Sequence, residues 1–143
     1  MKRILVLCTG NSTRSQMAHG YLQQFADLSD HNERAEVLSA GVETHGLNPK
    51  AVQVMAEDGV DISHHTSNLV DEYANLPIDY VITVCDNANE RCPVWIGRTH
   101  RTHQNFEDPS KATGDPDAVL ANYRRIRDQI KQFCLAFIRQ HVT

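Results

Sequence analysis

The sequence predicts an α/β fold: a single catalytic domain over residues 1–143, with a four-stranded, mostly parallel sheet and helices on both faces. Two observations carry that prediction. Short apolar runs alternate with amphipathic helical patterns along the chain, which is the pattern of strand–helix–strand units and so of parallel strands. Two cysteines, Cys8 and Cys85, each stand just past an apolar run, at the strand ends where open α/β sheets bind ligands. The length is enough for one sizeable core.

The first run, Ile4-Leu5-Val6-Leu7, reads as a fully buried strand, and Gln16 to Phe25 as a helix whose inner face is Met17, Tyr21, Leu22 and Phe25. Leu28 to Arg34 is polar and reads as a loop. Ala35 to Ala40 is the second strand, ended by Gly41. Asn48 is placed to cap a helix with Pro49 in its first turn; that helix runs to about Asp58, faces Ala51, Val52 and Met55 inward, and stops at Gly59. Ser67 to Tyr73 is a short helix. Asp79 to Val84 is the third strand and delivers Cys85. Thr99 to Asn105 is a more polar strand, suited to a sheet edge. Asp117 to about His141 is the last helix, with Leu120, Tyr123, Ile126, Ile130, Phe133, Phe137 and Ile138 as its inward stripe and Cys134 as a core residue.

The stretch Cys8-Thr9-Gly10-Asn11-Ser12-Thr13-Arg14-Ser15 joins the first strand to the first helix. Such a loop is an oxyanion cradle. Its backbone N–H groups point inward and the helix N-terminus adds positive potential, so Thr9 to Arg14 form the candidate oxyanion-binding set. Gly10 and Asn11 suit left-handed backbone. Arg14 can fork two oxygens of a tetrahedral anion. Cys8 sits in the same field, which favours its thiolate, and Ser15 is placed to donate a hydrogen bond to it. The competing reading of Cys8 is a small core residue.

A second cysteine pair flanks a polar segment, Cys85-Asp86-Asn87-Ala88-Asn89-Glu90-Arg91-Cys92. The residues leave three readings open: incidental loop cysteines, a zinc site completed by His100 and His103, or a resolving thiol pair. The zinc spacing fits no common pattern. A third element is Phe106-Glu107-Asp108-Pro109, a candidate general acid at Asp108; Asp115-Pro116 competes, but sits where a helix cap is expected.

Composition excludes several classes. A formal net charge of −4 gives no global case for nucleic acid. Met1-Lys2-Arg3 precedes too short an apolar run for a secretory signal, and no stretch approaches the roughly 20 apolar residues of a membrane span. A cytoplasmic protein, likewise without a membrane partner, is expected. Its four cysteines then need not form structural disulfides.

The Cys8–Ser15 loop resembles the active-site loop shared by the low-molecular-weight tyrosine phosphatases and the thioredoxin-coupled arsenate reductases, two families of one fold. The Cys85/Cys92 pair resembles only the reductases, as do Ser39 to Pro49 and Asp61-Ile62-Ser63 with His65 and Ser67; the likeness runs from Lys2 to Ile130. It implies a low-molecular-weight tyrosine phosphatase-like fold, a monomer, and a relay. Cys8 attacks arsenate, Asp108 protonates the departing oxygen, Cys85 attacks Cys8, and Cys92 attacks Cys85; thioredoxin, an external reductant, then reduces the Cys85–Cys92 bond. No bound cofactor or metal is implied for the relay itself. The alternative is a phosphatase that hydrolyses phosphate monoesters through a Cys8 phospho-enzyme with Asp108 as acid. A non-catalytic anion-binding or redox-sensing domain is the third class.

Three positions depart from the family pattern. Thr13 stands where relatives often carry Cys, which leaves Cys8 as the only thiol of the loop. Ser110-Lys111 follows Asp108-Pro109, where phosphatases place tyrosines that wall an aromatic substrate. Some reductases bind potassium beside the loop with two carboxylates, and those positions are His19 and Asn68 here, which speaks against a potassium site.

Overall fold

A computed structural model describes residues 2–29, 35–86, 91 and 99–142. Cys92, most of the polar segment between it and Cys85, and residues 30–34 of the first predicted loop lie outside the described residues. The elements are β1 (Lys2–Cys8), α1 (Arg14–Leu28), β2 (Ala35–Gly41), α2 (Pro49–Glu57), β3 (Tyr80–Thr83), β4 (His100–His103) and α3 (Pro116–His141). One-turn 3₁₀ helices lie at Val70–Tyr73 and Pro109–Lys111.

The described sheet has the order β2-β1-β3-β4, and every pairing in it is parallel. β1 is central, and Ile4, Leu5, Val6 and Leu7 are all fully buried. A strand covered on both faces has no use for alternating polar residues, which is why this run reads as continuously apolar. Burying each such side chain contributes about 1.5–3 kcal/mol. The described helices form one packed group, α1 against α3, α2 against α3, and α1 against α2.

Several boundaries differ from the sequence reading, each for a local reason. α1 runs three residues past Phe25, to Leu28, whose side chain is exposed on the helix end and so carried no periodic signal. In α2, Val54 rather than Val52 is the buried valine beside Ala51 and Met55. Asn48 caps α2 through Oδ1, which accepts from the N–H groups of Lys50 and Ala51, and Gly59 just beyond takes a φ of +78°. The short helix expected over 67–73 is only the turn Val70–Tyr73, because Leu69 bridges to Gly41 beside β2. β3 and β4 are shorter than predicted, four residues each, and β4 lies at the sheet edge as its polarity suggested. On α3 the buried stripe is Tyr123, Ile126, Ile130, Cys134, Phe137 and Ile138, with Leu120 and Phe133 half-buried. Asp115 precedes α3 but makes no capping hydrogen bond.

Candidate active site

The loop from Cys8 to Arg14 links the C-terminal end of the central strand to the N-terminus of α1. Its backbone direction is set from outside. The carbonyl of Thr9 accepts from Glu43 N–H at 2.9 Å, that of Gly10 from His45 N–H at 2.9 Å, that of Ser12 from Asn48 N–H at 3.1 Å and that of Thr13 from Met17 N–H at 3.0 Å. The Asn11 carbonyl accepts from Gln16 Nε2 at 3.0 Å. Every carbonyl from Thr9 to Thr13 is thus engaged away from the loop's centre, which leaves the amide side for an anion. No side chain caps α1: Thr13 occupies the N-cap position without a capping bond, so the first-turn amides keep their capacity to bind an anion.

Asn11 is the one non-glycine residue with positive φ among those described, at 48°. It is fully buried. Its Oδ1 accepts from Asn68 N–H at 2.8 Å, which fixes the amide so that Nδ2 donates to Ser15 Oγ at 2.8 Å. The Asn11 side chain is therefore a brace beneath the loop, a role separate from the backbone N–H that the sequence reading assigned to the oxyanion set. Gly10 does not take the left-handed conformation expected of it; its missing Cβ instead makes room for the His45 ring, which lies against it.

Cys8 Sγ is 2.9 Å from Ser15 Oγ and nearly buried. It opens into a cavity of about 290 Å³ lined also by Thr9, Gly10, Ser12, Thr13, Arg14, His45, Asp108, Ser110 and Lys111. Arg14 donates through Nη1 to the Phe106 carbonyl at 2.9 Å, and its Nη2 lies 3.6 Å from Asp108 Oδ2. The other Asp108 oxygen accepts from Ser110 N–H at 3.0 Å and Ser110 Oγ at 2.7 Å, so the Asp-Pro turn aims one carboxyl oxygen at the cavity while the other holds the turn. Asp115 lines neither this cavity nor the next.

Cys85 lies two residues past β3, the neighbour of β1, and is buried. Its Sγ is 3.3 Å from Thr9 Oγ1, a residue of the oxyanion loop. It lines a cavity of about 400 Å³ that shares Thr9, Arg14, Asp108 and Lys111 with the first. The structure thus brings together Cys8, Arg14, Ser15, Asp108 and Cys85. His103, a ligand in the zinc reading, has both ring nitrogens engaged, by Thr83 Oγ1 and Asp86 Oδ1, each at 2.7 Å. Cys134 is fully buried, 3.7 Å from the Ala18 carbonyl, and burial pushes its thiol far above the usual range.

Beneath the loop lies a second polar layer that sequence reasoning did not find. Gln16, fully buried, spends its amide N–H groups on the carbonyls of Asn11 and Thr66. Its Oε1 must then accept from His65 Nδ1–H, 2.9 Å away, which fixes that tautomer. The His65 ring stacks on His19 at 4.2 Å between centroids. Burial, then the neighbouring His65, lowers the His19 pKa to about 3, against an opposing hydrogen bond to the Val37 backbone. Burial and His64 lower that of His65 to about 4. Ser39 Oγ is bonded to His19 Nδ1 at 2.9 Å, Asn11 Oδ1 accepts from Asn68 N–H, and Asn68 Oδ1 accepts from Thr66 Oγ1 at 2.7 Å, so His19 and Asn68, at the positions where a potassium site would place carboxylates, are tied into this hydrogen-bonded layer. That Glu43, His45 and Asn48 hold the loop carbonyls was missed, although all three lie in the Ser39–Pro49 stretch whose resemblance the sequence reading noted.

Residues 3–142 match the low molecular weight phosphotyrosine protein phosphatase family. Among curated relatives, the arsenate reductase of Bacillus subtilis (strain 168) is 43% identical over 129 residues, 90% of this chain and 89% of that protein. The arsenate reductase of Shouchella clausii (strain KSM-K16) is 45% identical over the same shares. A solved arsenate reductase in the phosphate binding state superposes with a TM-score of 0.78 at 30% identity, covering 98% of both chains. A low molecular weight protein tyrosine phosphatase from T. tengcongensis shares the fold, with a TM-score of 0.79 at 22% identity over 98% of this chain and 99% of that one. No described helix is long and apolar enough to cross a membrane. The chain belongs to the low molecular weight phosphotyrosine protein phosphatase family and, within it, groups with the arsenate reductases.

Proposed function

We propose that this protein is an arsenate reductase that works by a three-thiol relay. The observation that carries the reading is the placement of Cys85, buried at the end of the strand next to β1 with its sulfur 3.3 Å from Thr9 of the oxyanion loop. A hydrolase of this fold needs one thiol. A second one on the adjacent strand end has a use when electrons must pass to the substrate. The arsenate reductases among its relatives support the substrate.

Arsenate, a tetrahedral oxyanion, sits in the cradle with its oxygens on the loop amides and the Arg14 fork. The Cys8 thiolate, held by the Ser15 hydroxyl, attacks arsenic(V). Asp108 delivers a proton to the departing oxygen, which leaves as water, and a Cys8–arsenic bond remains. The Cys85 thiolate then attacks Cys8 Sγ. The sulfur–arsenic electron pair stays on arsenic, which leaves as arsenite, arsenic(III), and Cys8 and Cys85 are left as a disulfide. Cys92 attacks Cys85 Sγ, expels the Cys8 thiolate and forms the Cys85–Cys92 disulfide. A dithiol protein of the thioredoxin type returns the two electrons. Thr9 Oγ1 is placed to donate to the Cys85 thiolate as Ser15 does to Cys8.

The test is arsenate-dependent NADPH consumption in the presence of thioredoxin and thioredoxin reductase. Turnover that stops when arsenate is omitted or Cys85 is replaced by Ser supports the relay. Hydrolysis of p-nitrophenyl phosphate at full rate with no arsenate turnover would select the phosphatase reading, which needs only Cys8, Arg14 and Asp108.

A further inference from the structure

We propose that His103 is a positioning residue that sets the aim of Cys85 by clamping the residue after it. The inference rests on the reading of Cys85 as the second thiol.

His103 ends β4 and is paired with Thr83, which ends β3. Its imidazole spans two partners. Nδ1 lies 2.7 Å from Thr83 Oγ1, a fully buried hydroxyl that needs a partner, and Nε2 lies 2.7 Å from Asp86 Oδ1. Asp86 directly follows Cys85, and its backbone N–H donates to Asn105 Oδ1 at 3.1 Å. On the other side of Cys85, Val84 N–H donates to the Leu7 carbonyl at 2.9 Å, and the Val84 carbonyl accepts from Phe106 N–H at 3.0 Å.

The chain is therefore held on both sides of the thiol. The Val84 side is held by ordinary strand-like bonds. The Asp86 side is past the end of β3, with no strand partner among the described residues, and its side chain is 70% exposed. A carboxylate in that setting has water as an alternative partner; among the described residues its direction comes from the imidazole, while Asn105 holds the Asp86 backbone N–H. A charged acceptor strengthens the His103 bond relative to a neutral one. Through Asp86, His103 determines the direction of the Cα–Cβ bond of Cys85, and so keeps the sulfur beside Thr9 and turned toward the oxyanion loop. It touches neither substrate nor sulfur.

The claim predicts opposite changes in two reactions of one sulfur. In a Cys92→Ser background, His103→Ala frees Cys85, so iodoacetamide labels it several-fold faster. The same substitution slows arsenate-driven formation of the Cys8–Cys85 disulfide about tenfold, as small misplacements of a reacting group do. Cys8 labelling, and its protection by inorganic phosphate, stay at the parent value. Asp86→Ala, at an exposed position, reproduces both effects without touching the core. His103→Gln, whose amide N–H can still reach Asp86, restores most of the disulfide rate. Unchanged Cys85 labelling in both His103→Ala and Asp86→Ala overturns the proposal. So does a rise in Cys8 labelling parallel to that of Cys85, which would mean general loosening. If the Cys92→Ser parent forms no Cys8–Cys85 disulfide with arsenate, the reductase reading fails, and the Cys85 labelling rates alone still decide whether His103 positions the residue.

Discussion

Asn11 donates from Nδ2 to Ser15 Oγ at 2.8 Å, and this bond decides which way the serine hydroxyl points. With an oxygen lone pair taken by Asn11, the hydroxyl proton is free for Cys8 Sγ at 2.9 Å. A thiolate can only accept, so a reactive Cys8 requires Ser15 as donor. Ser15→Ala should slow alkylation of Cys8 near neutral pH, read in a Cys85→Ser, Cys92→Ser background. Phosphate or arsenate should protect Cys8, and Arg14→Ala should weaken that protection more than Arg14→Lys, which keeps charge but loses the fork. Equal labelling of Cys8 and Cys134 without oxyanion protection would contradict the assignment of the nucleophile.

The relay has an order. Cys92→Ser should stop after about one turnover with the two-electron product trapped as a Cys8–Cys85 disulfide, since the thiol that resolves it is gone. Peptide mapping identifies the linked pair. Continued turnover would show that Cys92 is not the resolving thiol, and a trapped product without a Cys8–Cys85 link would overturn the order.

The two Asp-Pro sequences should separate cleanly. Asp108→Asn keeps an acceptor for Ser110 and so keeps the turn, but has no proton to give; single-turnover rates should fall about 10²–10⁴-fold. Asp115→Asn should change neither rate nor melting temperature, because Asp115 makes no capping bond to α3. A rate loss confined to Asp115→Asn would exchange the roles.

Acid should destabilise the fold through the stacked imidazoles. His19 and His65 stay neutral in the folded chain down to about pH 3 and about pH 4. Free histidine protonates near pH 6.5. Between these values the unfolded chain binds more protons, so the contribution is full above about pH 6.5 and is lost as pH falls through the window. Thermal unfolding from pH 7 down to 4.5 should show a steeper loss for the wild-type chain than for His65→Asn. Parallel curves would show that the pair does not titrate as its burial implies.

Much of this was legible because it rests on local rules. The continuous run Ile4–Leu7 announced a central strand, Asn48-Pro49 a helix start, and Cys8 to Arg14 the loop that joins the first strand to the first helix. Cys134 read as core from its place on the α3 stripe. What stayed hidden depends on tertiary neighbours. Nothing in the composition of residues 43–48 says that three of their amides hold the loop carbonyls, and nothing local ties His65 to Asn11 through Gln16. Asn11 itself was legible as a left-handed residue but not as a brace, since that role is set by Asn68, far along the chain. The missing cap at Asp115 is the converse case, where a favourable residue type found no use.

Strand order carries an evolutionary consequence. Because β3 lies directly beside β1, the first positions beyond β3 stand next to the oxyanion loop before any cysteine is placed there. A hydrolytic ancestor with this topology would need no new element, no insertion and no change of connectivity to gain an electron-transfer partner for its nucleophile. One substitution after the third strand would put a sulfur within reach of Thr9, and later changes could refine its aim. The strand order thus supplies the place for the second thiol of a relay, while its resolving partner must come from the segment beyond.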